Sequence, residues 1–567
     1  MGILSKRLLS VGLFTLAASA LLVSTASARS SSALRMQDTE DAAGEFDFDT
    51  PSRLVEPPER VPLFDNWGKK VENKVHDAIE DLKHKVKEAK HALEDAKHAL
   101  EDARHAVEDA TSESGEYFKV LKHDSFPGIQ MRLRKPKLCD PHVTQYSGYL
   151  DVSPTKHFFF WFFESRNQPK TDPLVMWLNG GPGCSSFLGL LMELGPCQVN
   201  DQGDDTIFNP HSWNSNASVL FLDQPANVGF SYGDTVSSSY AAAQDVYALL
   251  QIFFAEFPKY HRLDFHLAGE SYGGHYVPAI GHMIHTMNKY VYPSMSPLPS
   301  SSSSSSGPRG PGHLLHINLE SLLIGNGLTD ARLQYPLYPE MAINNTYAPI
   351  VTESEYEEMK RHLPACIAMI ERCYATESPL LCVPAELYCG NVVAPAYNTG
   401  VNPYDVRLKC EVEGLCYPII NSIKTYLNRP DVQHQLGVDA EKSVYESCDS
   451  GVGRRFALTG DVMKPAQRFL IPLLDDGIRV LLYSGDADFI CNWMGNKAWA
   501  LALPWFGQYK MQDAPDRRWH ANGHHAGDIR SAGPMTFLRV FGAGHMVPYD
   551  KPAESLDMLN RWLAHRL

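Results

Sequence analysis

Gly269-Glu270-Ser271-Tyr272-Gly273 lies between Phe265-His266-Leu267-Ala268, an apolar run of strand character, and Gly274-His275-Tyr276-Val277-Pro278-Ala279-Ile280, which reads as the opening of a helix. Strand, G-x-S-x-G, helix is the pattern of a nucleophile elbow. The turn is too tight for side chains at its flanks, so Gly269 and Gly273 let strand and helix approach. The Ser271 hydroxyl is pushed out of the sheet edge, and the Tyr272 N–H at the helix start points to where an oxyanion would form. A G-x-S-x-G in a loop also arises by chance, so the elbow needs an acid and a histidine that follow in the order Ser, Asp, His.

Both follow. Asp488 stands just past the strand-like Ile478-Arg479-Val480-Leu481-Leu482-Tyr483, and His545 just past Thr536-Phe537-Leu538-Arg539-Val540. A lone acid or histidine after a strand is usually structural; three residues in context and in order are not easily dismissed. Asn179-Gly180-Gly181-Pro182-Gly183-Cys184-Ser185-Ser186 follows the apolar Leu174-Val175-Met176-Trp177-Leu178 directly. A Gly-rich turn there supplies the second oxyanion donor, assigned to Gly181 beside Tyr272; it lacks the lysine of a phosphate loop. The chemistry read from these residues is acyl transfer. His545 deprotonates Ser271, Asp488 holds the imidazole, and the reaction calls for no cofactor and no metal ion.

Working outward, further strand-like runs (Phe158-Phe159-Phe160-Trp161-Phe162-Phe163, Val219-Leu220-Phe221-Leu222, Leu322-Leu323-Ile324) alternate with helical stretches such as 245–257. That predicts an α/β-hydrolase fold, a mostly parallel central sheet with helices on both faces. The chain has 567 residues, too many for one ordinary domain, and a net charge of −15 with no basic stripe, which argues against a nucleic-acid partner. Residues 1–28 read as a signal peptide: basic Lys6 and Arg7, an apolar stretch 8–23 too short and interrupted for an anchor, then Ala26-Ser27-Ala28. No later stretch is apolar enough to span a bilayer, so the mature form is expected off the membrane in an oxidising compartment. Of 11 cysteines, eight lie between Cys366 and Cys491; disulfides are expected, and the odd count leaves at least one thiol unpaired.

Residues 29–64 are polar and Pro-rich and read as disordered. A helix is predicted over 66–110, where Ile79, Val86, Leu93, Leu100 and Val107 recur every seven, as do Val75, Leu82, Ala89, Ala96, Ala103 and Ala110. His84, His91, His98 and His105 recur on the opposite face; most such stripes are merely solvated. Residues 293–312, with Ser300 to Ser306, read as a flexible surface insertion. The Cys-rich, weakly periodic stretch of about 330–450 reads as an inserted cap, helical and disulfide-rich, that shapes specificity.

Taken together, Trp177-Leu178-Asn179-Gly180-Gly181-Pro182-Gly183-Cys184-Ser185-Ser186, Asp223-Gln224-Pro225, Val228-Gly229-Phe230-Ser231-Tyr232, Gly269 to Tyr276, Gly325-Asn326-Gly327-Leu328-Thr329-Asp330, Asp488-Phe489-Ile490-Cys491-Asn492-Trp493 and Gly544-His545-Met546-Val547-Pro548 resemble the serine carboxypeptidases, most closely the fungal carboxypeptidase Y group. The resemblance covers roughly residues 130–567. It implies removal of C-terminal residues from peptides and proteins at acidic pH, with the substrate carboxylate bound by Asn179, Glu270 and the Gly180 N–H and supported by Glu193. It also implies a zymogen, with residues 29–130 as an inhibitory propeptide, a catalytic domain 131–567 and a vacuolar destination, secretion being the alternative. Implied disulfides are Cys184–Cys448, Cys366–Cys389, Cys373–Cys382 and Cys410–Cys416. Cys491 would be the free thiol, a mercurial target, lining the substrate pocket with Tyr272, Ile490 and Met546. Cys139 and Cys197 depart from the family's pattern; whether they pair with each other is open. Asn216 and Asn344 head glycosylation sequons, the first in a stretch where the family is glycosylated. Two rivals remain: an esterase or acyltransferase using the same triad, which needs no carboxylate clamp, and a vestigial hydrolase body serving as a scaffold.

Glu80, Glu94 and Glu101 each stand four residues before a stripe histidine. Protonating those histidines creates i,i+4 ion pairs. Circular dichroism of residues 66–112 should show helicity rising from neutral to mildly acidic pH; a flat titration sinks the idea.

Overall fold

The computed structural model describes residues 119–122, 129–291, 314–393, 400–412 and 414–567. The stretches read as a signal peptide (1–28), as disordered (29–64), as a heptad helix with a histidine stripe (66–110) and as a serine-rich insertion (293–312) lie outside the described residues.

The strands in chain order are β1 (Lys119–Lys122), β2 (Gln130–Arg134), β3 (Gln145–Ser153), β4 (Lys156–Phe163), β5 (Leu174–Leu178), β6 (Cys197–Val199), β7 (Thr206–Phe208), β8 (Ser218–Leu222), β9 (Tyr232–Gly233), β10 (Phe265–Glu270), β11 (Leu319–Gly325), β12 (Val401–Asn402), β13 (Asp405–Lys409), β14 (Arg479–Gly485), β15 (Arg517–Ala521), β16 (His524–Ala532) and β17 (Met535–Val540). Thirteen of them form one sheet in the order β1-β2-β3-β4-β8-β5-β10-β11-β14-β17-β16-β15, with β9 paired to β4. The six from β8 to β17 run parallel. Strands β1–β4 and β15–β16 add antiparallel margins, so the expected parallel sheet is the centre of a wider mixed one. Strand β1 lies inside the stretch assigned to the propeptide and pairs with β2, so the sheet begins within that stretch.

The apolar runs are continuous because both faces of the centre are covered. In β5, Leu174, Met176 and Leu178 face one core, and Val175 and Trp177 face the other. The first core receives α1 (Ser239–Glu256) and α2 (Gly273–Val291), the latter starting at the elbow. The second is covered by the Gly189–Glu193 helical turn and by a C-terminal helix that buries Met558, Leu559 and Trp562.

Between β11 and β14 the chain leaves the sheet. Helices α3 (Glu353–Thr376) and α4 (Pro379–Val392) are stapled by Cys366–Cys389 and Cys373–Cys382 over a small separate core. The hairpin β12–β13, followed by Cys410–Cys416, comes next. Helix α5 (Ser450–Ala457) then returns to the main core through Val452 and Phe456. Cys139 pairs with Cys197 at the start of the β6–β7 ribbon, which closes the question the sequence left open.

At the end of β8, fully buried Asp223 accepts hydrogen bonds from the Ser185 hydroxyl (2.6 Å), the Ser186 N–H (3.2 Å) and the Phe230 N–H (3.0 Å). It thereby fixes the Gly-rich loop after β5. Burial pushes its acid up to about 7, and burial likewise raises Glu386 of α4 to about 7. The folded state thus holds protons that an unfolded carboxylate gives up near pH 4. The penalty for burying charge is absent below about pH 4 and complete above about pH 7, so stability falls across that window. The thermal midpoint of the protein should drop by several degrees from pH 5 to pH 7.5, and Asp223→Asn should give a lower but flatter profile. An Asp223→Asn profile as steep as the parent's would remove Asp223 from this account.

Candidate active site

The elbow forms, and of its two flanking glycines Gly269 is the one its closeness requires; a Cβ on Gly273 would meet only the Leu178 carbonyl, at 3.4 Å. Ser271 has φ +62°, a left-handed conformation rare for a residue with a side chain. A Cβ on Gly269 would lie 2.9 Å from the Leu178 carbonyl and 2.9 Å from Val277. The Ser271 N–H donates to the Gly325 carbonyl (3.1 Å), and its carbonyl accepts from the Gly274 and Leu328 N–H groups (2.9 Å each). Strand β11 thus grips the turn from the side. Ser271 stays partly accessible, while Tyr272 is buried with its hydroxyl donating to Asp461 (2.8 Å).

His545 and Asp488 sit on loops after β17 and β14. The His545 Nδ1 and Asp488 Oδ2 atoms are 2.8 Å apart, and both residues are buried. The same oxygen accepts from Asn326 Nδ2 (2.7 Å) and from the Cys491 N–H (3.3 Å). The Cys491 sulfur lies within 4.8 Å of both the Asp488 carboxylate and the His545 imidazole, and Ser271 is its hydrogen-bonding neighbour. The structure therefore gathers Ser271, Asp488 and His545 around one buried thiol. Burial pushes that thiol well above its ordinary pKa, so it stays protonated. Among the described residues Cys491 is the one cysteine without a disulfide.

The loop 179–183 lies against the elbow backbone to backbone. A Cβ on Gly180 would fall 2.3 Å from the Tyr272 nitrogen, and Gly181, exposed at φ +109°, requires glycine. The loop is fastened by Cys184–Cys448, and the Ser185 N–H and the Gly183 carbonyl bond to Ser447 and Asp449 across that bridge.

Asn179, Glu193 and Glu270 are buried together. Asn179 Oδ1 accepts from Trp177 Nε1 (2.8 Å) and the Gly189 N–H (2.9 Å), which leaves its Nδ2 to donate to Glu193 (3.2 Å). Burial raises both carboxyl groups; for Glu270 the charge of Glu193 raises it further. Two adjacent carboxyls in a dry site cannot both ionise, so the pair keeps a shared proton beyond the ordinary carboxylate range. Met546 is buried beside His545, and Ile490 is half-buried. The Asn344 side chain is exposed, whereas Asn216 is half-buried with its amide donating to Asn560 (3.0 Å).

Sequence reasoning assigned no role to three groups the geometry brings in. Asn326 orients Asp488 and also accepts from the Gly485 N–H (3.1 Å); its position immediately after a strand was the available signal. Asp461 holds the Tyr272 ring from the chain that returns from the cap, and nothing local marks it. The segment Pro403–Tyr404 holds the loops of both Asp488 and His545: the Pro403 carbonyl accepts from the Phe489 and Ile490 N–H groups, and the Tyr404 carbonyl from the His545 N–H (2.7 Å).

Residues 136–565 match the family described as serine carboxypeptidase. The chain is 49% identical over 437 residues to carboxypeptidase Y homolog A of Trichophyton rubrum, covering 75% of this chain and 76% of that one. It is 48% identical over 426 residues to carboxypeptidase Y of Candida albicans, covering 74% and 73%. The fold is similar to the crystal structure of Kex1(delta)p, a prohormone-processing carboxypeptidase from Saccharomyces cerevisiae, with a TM-score of 0.63 and 26% identity over 79% of this chain and 95% of that one.

If Asn326 orients the acid, Asn326→Ala should lower kcat by about ten- to a hundredfold, the loss of one hydrogen bond to a charged group. KM should change little, because the substrate is not touched. An unchanged kcat in a folded variant would show that Asp488 is oriented without it.

Proposed function

The chain belongs to the serine carboxypeptidase family, and from that premise we propose that it is a zymogen-derived enzyme that removes C-terminal residues at acidic pH in the vacuole lumen. It is a serine carboxypeptidase of the carboxypeptidase Y type. The observation that carries the finer reading is the Glu193–Glu270 acid pair, with Asn179 donating to Glu193, directly beside the nucleophile.

The steps assigned to the residues follow from that arrangement. While the pair holds its proton, Glu270 donates a hydrogen bond to the substrate's terminal carboxylate, and Asn179 and the Gly180 N–H complete the clamp. The scissile carbonyl is thereby placed against Ser271. His545 takes the Ser271 proton as the hydroxyl attacks, and Asp488 stabilises the imidazolium. The Gly181 and Tyr272 N–H groups take the oxyanion; neither donates a hydrogen bond among the described residues. His545 then protonates the leaving amine, and water attacking the acyl-enzyme reverses the sequence. Cys491 and Met546 border the pocket for the substrate side chain.

The sign of the pH effect follows from the shared proton. Below the pair's raised pKa the clamp donates to a carboxylate; above it, two negative groups face a third. An acidic lumen is the compartment in which such a clamp works, and the leader read over 1–28 provides the route. Removal of the pro-segment releases the enzyme, and the exposed Asn344 is the more accessible glycan acceptor of the two.

The test compares a peptide with its C-terminal amide from pH 4 to 8, using protein freed of the pro-segment. KM for the free acid should rise with pH and its advantage over the amide should vanish, while Ser271→Ala abolishes turnover of both. Equal cleavage of acid and amide at every pH would remove the clamp. Cleavage of simple esters alone would favour an esterase reading of the same triad.

A further inference from the structure

Strands β5, β10, β11 and β14 align Ala268 with Trp177 on one side and with Leu323 on the other, and Leu323 with Leu481. All four residues face the second core. Two residues further along each strand, the same face presents Asn179, Glu270, Gly325 and Tyr483, because side chains repeat every second position. The register confirms the row, with Glu270 opposite Gly325 and Gly325 opposite Tyr483.

Gly325 has no side chain, and the space above it is filled from β14. A Cβ there would meet the Tyr483 ring at 2.4 Å and its hydroxyl oxygen at 2.5 Å. The Tyr483 phenol therefore reaches across β11 toward Glu270. The ring is fully buried, and its hydroxyl has no hydrogen-bond partner. One oxygen of Glu193 and one of Glu270 are likewise buried and unpartnered. A donor and two acceptors are thus enclosed in one dry region, and leaving such groups unpaired is costly.

We propose that Tyr483 is a positioning residue of the carboxylate clamp, its hydroxyl donating to the Glu193–Glu270 pair directly or through one trapped water. This rests on the clamp reading above and extends it to the residue that sets the pH at which the clamp fails. A phenol donor stabilises the ionised pair, so it draws the pair's final proton loss downward, against burial and mutual repulsion. Glu270 and then Glu193 are the charges that act most on Tyr483 itself. The other titratable groups facing the pair are Asp488, Asp550 and His545, with Tyr417 and Cys491 also sensing Glu270. None of these lies on β14 at the position of Tyr483, so the effect of its hydroxyl is separable from theirs.

The experiment measures KM for a free-acid peptide against pH in the processed enzyme, in Tyr483→Phe and in a form with 3-fluorotyrosine placed at 483. Loss of the donor should move the rise in KM upward by about one pH unit, the size expected for a hydrogen bond to a charged group. The fluorinated phenol, a more acidic and stronger donor of nearly the same shape, should move it downward. Cleavage of an ester without a free carboxylate should show neither displacement. If the parent's KM rise is present and neither substitution moves it, Tyr483 has no such role. If Tyr483→Phe fails to fold, the fluorotyrosine form alone decides, and an unmoved limb overturns the proposal. A parent with no preference for the free acid would instead sink the clamp reading beneath it.

Discussion

A serine held at φ +62° costs on the order of 1–3 kcal/mol of backbone strain, and the rest of the fold keeps it there. The turn at Ser271 is clasped from three directions: β11 and the loop after it through the Gly325 and Leu328 backbone, the loop 179–183 through contact at Gly180, and α2 through its first turn. Each clasp depends on a glycine whose Cβ would fall inside a neighbour. Relaxing any one of them would let the hydroxyl swing off the edge of the sheet.

The same edge gathers the carboxyl chemistry. Parallel strands in register bring Asn179 and Glu270 to one level, and the helical turn Gly189–Glu193 lays a second acid against the first. Burial makes this pair expensive as a dianion, and on the proposed reading that is what lets it receive a substrate's negative charge. Buried acids at Asp223 and Glu386 lean the same way. The acids of the site and of the core are thus all held protonated above the ordinary carboxylate range by one physical cause, desolvation by burial.

Much of this was legible in one sequence because elbow chemistry is local. Ser271, Asp488 and His545 each stand just past a recognisable strand, and the two glycines around Ser271 mark a turn that few other structures need. The six parallel strands were readable as apolar runs. The antiparallel margins were harder, since short amphipathic strands such as β2 and β15 resemble loops. Which supporting residue meets which catalytic candidate across the strands was not legible. Nothing near Asn326 in the chain indicates Asp488, and nothing near Asp461 indicates Tyr272, because register between strands is fixed only when the sheet forms. The Cys139–Cys197 pairing was open for the same reason: 58 residues separate partners that only the folded β6–β7 ribbon brings together.

The carbonyls of Pro403 and Tyr404 bind the loops that carry Asp488 and His545. That segment belongs to the cap excursion, and the chain reaches it after Ser271 but before Asp488 and His545. The centre is thus built almost wholly from contacts of high sequence separation, which form late and slowly. A ribosome-bound chain would expose Ser271 with neither acid nor base in place. The Ser271–Asp488–His545 arrangement is consequently a property of the folded chain through His545, out of reach of any shorter nascent segment.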